Sequence, residues 1–248
     1  MRYFVAFSYN GAAYHGWQYQ PNAISVQEVL ETTFSTLLKK EISLIGAGRT
    51  DAGVHAKEMY AHFDFDRILE EEGLIHKLNA FLPDDIAVQN IVEVVEDAHA
   101  RFHATERTYE YWITQEKDPF LTETTHYVRK KLDVEKMNQA ATILLGRQDF
   151  ECFSKSKTDV NTYLCDVKKA RWEQKDGKFV FTITADRFLR NMVRAIVGTL
   201  LDVGTGKKAI NDLHTILASK SRAEAGTSVP AKALYLTAVL YPNKIIKK

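Results

Sequence analysis

The hydrophobic and polar positions of this chain follow two periods, one typical of strands and one typical of helices. Period-two alternation and short apolar runs bounded by turn residues predict strands at residues 3–9, 59–65, 86–88, 91–95, 109–113, 178–184 and 234–240. Apolar positions at helical spacing predict helices after Ser25, after Asp133 and over residues 188–203, and a short one between Asp66 and Asn79. Strands mixed with helices, without regular βαβ alternation, indicate an α+β fold.

The ends of three predicted helices are marked by capping residues. Ser25-Val26-Gln27-Glu28 fits a capping box, and Asp133 fits an N-cap. Gly146 is the expected end of the helix after Asp133, and Gly204 is the expected end of the helix over residues 188–203. Glycine accepts the left-handed backbone that ends many helices.

The order strand, helix, strand occurs twice and predicts two similar halves, residues 1–105 and 106–248. The halves differ in charge. Residues 1–105 carry 8 Lys+Arg and 15 Asp+Glu, a net charge of −7, whereas residues 106–248 carry 25 and 17, a net charge of +8. A basic second half suits a polyanionic partner, although charges that merely solvate the surface would give the same count.

Bulk composition is that of a soluble globular protein, with 45% hydrophobic and 26% charged residues. No apolar stretch is long enough to span a bilayer, and the first residues lead straight into a strand pattern, so we expect a cytoplasmic protein. The two cysteines, Cys152 and Cys165, lack metal-site spacing, so neither a zinc site nor a disulfide framework is expected.

The candidate chemistry lies in the nine residues Gly48-Arg49-Thr50-Asp51-Ala52-Gly53-Val54-His55-Ala56. One carboxylate stands between two glycines, which permit a tight backbone and close approach of a ligand. Arg49 would favour the charged form of Asp51. Asp51 could instead simply cap a surface turn, since Asp, Gly and Thr are common turn residues.

Residues 46–55, Gly-Ala-Gly-Arg-Thr-Asp-Ala-Gly-Val-His, resemble the motif of the tRNA pseudouridine synthase A family. Further similar runs extend the resemblance from Tyr3 to Tyr241: residues 14–18, 25–28, 99–102, 107–109, 188–194 and 234–236. The resemblance implies two similar α/β halves that share one extended, mostly antiparallel mixed sheet flanked by helices, with the active-site cleft between the halves. It also implies a homodimer that acts on tRNA, isomerising uridine to pseudouridine at positions 38, 39 and 40 of the anticodon stem-loop.

The resemblance also assigns the chemistry, which needs a carboxylate nucleophile and a base for the C5 proton but no cofactor or metal. Asp51 corresponds to the nucleophile of the family, with attack at either ribose C1′ or uracil C6. Tyr109 corresponds to the tyrosine that stacks on the target base and takes the C5 proton. By itself, Tyr109 would be an ordinary aromatic residue of a sheet.

Five further positions complete the expected site. Arg190 and Arg194, four apart on the helix predicted over residues 188–203, should share one face. Arg194 corresponds to the arginine that pairs with the catalytic Asp, the alternative being a salt bridge to an acid such as Asp202. Arg49 corresponds to the arginine that contacts the flipped nucleotide, although it could also pair with Asp51. Leu234 and Leu236 correspond to a wall of the uracil pocket, or are simply packed in the core.

Two features stand outside this assignment. His99 and His103 have i, i+4 spacing, but the connection that contains them is not a predicted helix, so no metal site is expected. Residues 161–166, Asn-Thr-Tyr-Leu-Cys-Asp, depart from a basic pattern that is common in the family. The neighbouring Lys155, Lys157, Lys168 and Lys169 could keep contact with RNA phosphates.

Two other classes of function compete with the isomerase. A basic half would also suit an RNA-binding protein without chemistry. Gly46-Ala47-Gly48 could be the phosphate loop of a nucleotide enzyme, but the third glycine of the dinucleotide motif and the Gly-Lys-Ser/Thr of a P-loop are absent.

Overall fold

A computed structural model describes residues 1–155 and 160–247. Within these residues the strands are β1 (Arg2–Tyr9), β2 (Ile45–Gly46), β3 (His55–Asp64), β4 (Ile86–Val94), β5 (Glu106–Thr114), β6 (His126–Tyr127), β7 (Gly146–Asp149), β8 (Leu164–Lys175), β9 (Lys178–Ala185) and β10 (Leu234–Leu240). The helices are α1 (Val26–Leu38), α2 (Glu71–Phe81), α3 (Val134–Thr142), α4 (Met192–Gly204) and α5 (Asp212–Ser219). The predicted α+β class is confirmed.

The chain packs as two compact units. The first contains Met1–Glu106 together with Tyr235–Lys248, and the second contains Arg107–Leu234. The division predicted at residue 105 lies next to the first of these boundaries. A second boundary lies between Leu234 and Tyr235, because the last strand packs with the first unit. The pattern of the sequence does not reveal this boundary.

The first unit is a sheet with the strand order β4–β1–β3–β10, and β2 pairs with β3. Its pairs are antiparallel except for β10, which runs parallel to β3 through Tyr235–His55 and Leu236–Ala56. The apolar stripe of α1 includes Phe34, whose ring meets that of Phe63 on β3 edge-on at 5.1 Å. Burying each such side chain contributes about 1.5–3 kcal/mol.

The second unit is a sheet with the strand order β5–β9–β8–β7, and β6 runs parallel to β5. The other pairs are antiparallel. Nearly every side chain of α4 is buried. On α3, the Asn138 side chain exchanges two hydrogen bonds with the backbone of Trp172 on β8, at 3.0 and 2.8 Å, which fixes that helix to the sheet.

Two helix predictions need correction at their ends. The helix predicted over residues 188–203 begins only at Met192, because Asn191 has a left-handed backbone (φ 67°) that cannot continue a helix. The helix after Asp133 ends at Thr142, so Leu144 and Leu145 lie beyond it, and Gly146 (φ +88°) opens β7 instead. Among the described residues, no helix combines the length and apolar character needed to cross a bilayer.

Candidate active site

The loop between β2 and β3 carries Asp51 on a closed turn. The Val54 N–H donates to the Asp51 carbonyl at 3.1 Å, and Gly53 has φ +76°, as the third residue of such a turn requires. Glycine is therefore needed at position 53, as the sequence predicts. The Asp51 side chain is half-buried, whereas Arg49 is exposed. The predicted pairing of these two side chains stays a prediction.

A second segment, Tyr14–Trp17, holds this turn through backbone hydrogen bonds. The Trp17 N–H donates to the Thr50 carbonyl at 3.3 Å, and the Gly53 N–H donates to the Tyr14 carbonyl at 3.3 Å. Gly16 (φ +90°) lies so close to Thr50 that a methyl group there would overlap the Thr50 carbonyl. The residues that flank Asp51 are therefore held by backbone contacts on both sides.

Two tyrosine hydroxyls hold the residues around this turn, one at Thr50 and one at Tyr14 in the second segment. The Tyr9 hydroxyl and Thr50 Oγ1 share a hydrogen bond of 2.8 Å. The Tyr14 hydroxyl donates to Asp85 at 2.6 Å, and burial, reinforced by this hydrogen bond, raises the pKa of Tyr14. Tyr14 consequently stays protonated and can remain the donor. The supporting roles of Tyr9 and Thr50 are not evident from the pattern of the sequence.

The far end of the loop is anchored by His55. Its Nδ1 accepts a hydrogen bond of 3.0 Å from the Gly11 N–H, so that nitrogen carries no proton. The His55 ring stacks on Tyr235 of β10, with ring centres 4.7 Å apart and planes inclined by 21°. The last strand of the chain thus lies directly beside the Asp51 loop, within the first unit.

Tyr109 lies on β5 in the second unit, opposite Ile183 of β9. Its ring is half-buried and meets the ring of Phe188 edge-on, at 5.1 Å and 86°. Beside it, Thr108 Oγ1 and Thr184 Oγ1 share a hydrogen bond of 2.9 Å that pins this part of the strand. The edge-on contact limits rotation of the Tyr109 ring and leaves part of it exposed.

Arg194 is positioned by the segment Thr227–Pro230. Its Nε donates to the Val229 carbonyl at 2.7 Å, and the Val229 N–H donates to the Arg194 carbonyl at 3.2 Å. The alternative partner Asp202 lies eight residues further along α4, about 12 Å by helical rise, and its carboxylate accepts from Lys207 at 2.8 Å. The predicted pairing of Arg194 with a carboxylate, Asp51 or alternatively Asp202, stays a prediction.

Arg190 does not share a helix face with Arg194, contrary to the prediction, because α4 starts two residues after Arg190. Arg190 is exposed, and its carbonyl accepts from the Lys155 N–H at 2.9 Å. Lys168 and Lys169 are exposed on β8, whereas Lys157 lies outside the described residues. Arg190 thus belongs to a surface that also includes Lys155.

Further close contacts hold the segment Thr227–Pro230 and the preceding Gly226, and the pattern of the sequence does not identify them. The Gly226 N–H donates to Thr199 Oγ1 at 2.8 Å, and a methyl group on Gly198 would overlap the Thr227 carbonyl. Ser228 Oγ accepts from both Asn191 and Arg222 at 2.7 Å. The only signal available in the sequence is the pair Gly198 and Gly226, which permits this close approach.

The remaining positions named from the sequence are two leucines on β10 and two histidines in a turn. Leu234 and Leu236 are buried on β10. His99 and His103 form a turn, in which the His99 N–H donates to His103 Nδ1 at 3.0 Å. In residues 1–155 and 160–247, no group of three or more metal-binding side chains comes together. The pocket-wall role of the two leucines stays a prediction.

Comparison with known proteins decides the family. A family profile described as tRNA pseudouridine synthase matches residues 5–103 and 140–242. The chain is 51% identical to tRNA pseudouridine synthase A of Bacteroides fragilis over 248 residues, covering 99% of this chain and 98% of that protein. The protein of the same name from Porphyromonas gingivalis is also 51% identical, with 98% of each chain covered. The chain belongs to the tRNA pseudouridine synthase family.

Membership of the tRNA pseudouridine synthase family confirms the resemblance seen in the sequence. The matched segments contain both the Asp51 loop and the contacts around Arg194, whereas Tyr109 lies between them. A further relative, tRNA pseudouridine synthase A of Bacteroides thetaiotaomicron, is 50% identical over 250 residues and covers 100% of this chain and 93% of that protein. The alignment with that relative therefore includes the Tyr109 strand as well.

Proposed function

We propose that this chain isomerises uridine to pseudouridine at positions 38, 39 and 40 in the anticodon stem-loop of tRNA. The observation that carries the proposal is the 51% identity, over 99% of this chain, to a protein named tRNA pseudouridine synthase A. The braced turn that presents Asp51 and the clamped Arg194 support it, because both are rigid settings for reactive groups.

In the proposed reaction the bond between ribose C1′ and uracil N1 breaks, and a bond between C1′ and C5 forms. The proton on C5 leaves, and N1 gains a proton, so the product has the composition of the substrate. No redox cofactor is required. Asp51 acts as the nucleophile that holds the reacting nucleotide while the base turns, and Tyr109 accepts the C5 proton.

The other proposed site residues bind the substrate. The guanidinium of Arg194 pairs with the carboxylate of Asp51. Arg49, which is exposed beside the turn, contacts the uridine that leaves the RNA stack, a step that costs a few kcal/mol. Arg190 contacts the RNA backbone, and Leu234 and Leu236 line the uracil pocket.

We further propose that the protein works in the cytoplasm as a homodimer, with tRNA bound by the basic half, residues 106–248. The net charge of +8 in that half supports the proposal, since each Lys or Arg that neutralises a phosphate releases a counterion. Light scattering should give twice the monomer mass, and a monomer mass at all concentrations would contradict the dimer.

Tritium release tests the activity. Incubation of the protein with tRNA that carries 5-tritiated uridine should release tritium to water, because only C5 bond formation displaces that hydrogen. An RNA-binding protein without chemistry would bind the same tRNA and release none. Mapping of pseudouridine in tRNA from cells that lack the protein should show the loss of the modification at positions 38, 39 and 40 alone.

A further inference from the structure

A groove of about 480 Å³ lies within the second unit, next to the contacts that hold Arg194. Three segments enclose it: residues 126–130, the outer face of α4, and Thr227–Pro230. Its volume is within the range of roughly 300–1,000 Å³ that ligand sites occupy.

The groove continues the face of α4 that presents Arg194. Its lining residues on that helix are Gly198, Leu201 and Asp202, with Thr205 just beyond the end. These positions follow Arg194 by 4, 7, 8 and 11 residues, which is the spacing of a single helix face. The groove therefore begins about 6 Å from Arg194 along the helix axis.

Val229 joins the groove to Arg194 directly. It lines the groove, and its backbone makes both hydrogen bonds that hold Arg194, at 2.7 and 3.2 Å. The groove and the contacts that hold Arg194 are therefore adjacent within the second unit.

The charge of the lining favours an anion. Lys207 is paired with Asp202, so these two cancel. Within the described parts of the chain, Arg129 and Lys130 are exposed and have no carboxylate partner within 4 Å. Burial, reinforced by the nearby Lys232, lowers the pKa of His126, so this side chain is neutral at pH 7. Two positive charges consequently remain.

An exposed aromatic ring adjoins these charges. Tyr127 lines the groove and is 46% exposed, although it lies on a strand. Cationic side chains next to an accessible aromatic ring are the combination with which proteins hold single-stranded nucleic acid, phosphates on the cations and a base on the ring.

We propose that this groove binds the single-stranded RNA that flanks the target uridine, with phosphates on Arg129 and Lys130 and a base stacked on Tyr127. The proposal rests on the proposed function, because it places the groove beside a catalytic Arg194. It adds a binding site for the backbone and one base of the substrate that is separate from the uracil pocket.

The charge component is tested with the double variant Arg129→Ala/Lys130→Ala. Binding of a tRNA transcript is measured by fluorescence anisotropy across about 50–200 mM salt. We expect Kd to rise about tenfold, and the slope of log K against log salt to fall in magnitude by about 1.4–1.8, for two lost phosphate contacts. KM should rise while kcat stays unchanged, because the lost contacts bind substrate and transition state equally.

The matched control is Lys40→Ala/Arg67→Ala, which removes the same charge from the first unit, where both side chains are exposed and Lys40 pairs with Asp66. This control should keep the Kd and the slope of the wild-type protein within twofold. An equal loss in both double variants, or no loss in either, would overturn the proposal.

The stacking component is tested separately. Tyr127→Ala should raise Kd at least about fivefold, and Tyr127→Phe should restore it, since stacking needs the ring and not the hydroxyl. Loss of binding in both variants, or in neither, would contradict stacking. If the wild-type protein releases no tritium, the proposed isomerase activity fails, whereas the anisotropy measurements still decide whether the groove binds RNA.

Discussion

At the scale of single residues, the setting of Asp51 depends on contacts from side chains that perform no chemistry. The hydrogen bond between Tyr9 and Thr50 is buried, and Thr50 immediately precedes Asp51. Tyr9→Phe removes it and leaves the Thr50 hydroxyl with one partner fewer. We expect the free energy of unfolding to fall by about 1 kcal/mol, and kcat to fall several-fold because Asp51 follows Thr50 directly.

Tyr3→Phe is the matched control for that substitution. The Tyr3 hydroxyl accepts a hydrogen bond of 3.0 Å from the Ile68 N–H, in the same unit but away from the Asp51 loop. Urea unfolding should show a comparable loss of stability, whereas tritium release should show an unchanged kcat. Equal loss of kcat in both variants would mean that Tyr9 acts only through global stability.

At the scale of elements, the contact between α4 and the segment Thr227–Pro230 is the one on which the position of Arg194 depends. Alanine in place of a helical glycine normally stabilises a helix by about 1 kcal/mol. At Gly198 the added methyl group would overlap the Thr227 carbonyl, so the sign reverses. We expect Gly198→Ala to lower the free energy of unfolding by about 1–3 kcal/mol and to lower kcat, because Val229 moves with its neighbours.

Gly206→Ala is the comparison for Gly198→Ala. Gly206 lies just beyond α4 with φ +75°, and a methyl group there would meet nothing within 4 Å. Its cost should be limited to backbone strain of about 1 kcal/mol or more, with kcat unchanged in the tritium assay. A Gly198→Ala protein as stable and active as the wild type would show that the segment tolerates displacement.

Elements with local signals were predictable from the sequence. Ser25 caps α1 as predicted, accepting from the Glu28 N–H at 3.2 Å, and the alternation over residues 59–65 and 234–240 marks β3 and β10. By contrast, β8 was missed. Its buried side chains run Cys165, Val167, Ala170 and Trp172, because a bulge after Val167 shifts the alternation by one residue.

Some features of the candidate site could likewise be predicted from the sequence, and others could not. The motif identifies Asp51, and Gly53 supplies the positive φ that the turn needs. The start of α4 depends on Asn191, a non-glycine residue in left-handed conformation, so apolar periodicity placed that start too early. The braces from Tyr9 and Val229 are non-local, since they join residues 41 and 35 positions apart, and periodicity contains no information about them.

At the scale of the whole molecule, the buried His62 makes stability depend on pH. Its Nδ1 accepts from the Ala100 N–H at 3.2 Å, and the His99 ring lies 4.6 Å away. Burial, with smaller contributions from His99 and Arg2 that outweigh the opposing charge of Asp64, lowers the pKa of His62 to about 4. The native protein therefore holds His62 neutral at pH values where the unfolded chain protonates it.

The sign of this effect follows from proton binding. Between about pH 6.5 and 4 the unfolded chain binds more protons, so stability is full above pH 6.5 and falls as the pH falls through this window. Urea unfolding at about pH 7.5 and pH 5 should differ by up to about 2 kcal/mol from His62. His62→Asn, which keeps an acceptor for Ala100, should reduce the difference, and an unchanged difference would assign it to other groups.

Asp51 is the residue on which the proposed isomerisation depends, and the substitution Asp51→Asn removes its proposed role as nucleophile. Asparagine keeps the size of the side chain but is a very poor nucleophile. With 5-tritiated tRNA, we expect the variant to bind with the Kd of the wild type and to release no tritium, while Asp84→Asn, on an exposed loop of the same unit, releases it at the normal rate. Normal tritium release by Asp51→Asn would mean that Asp51 is not the nucleophile.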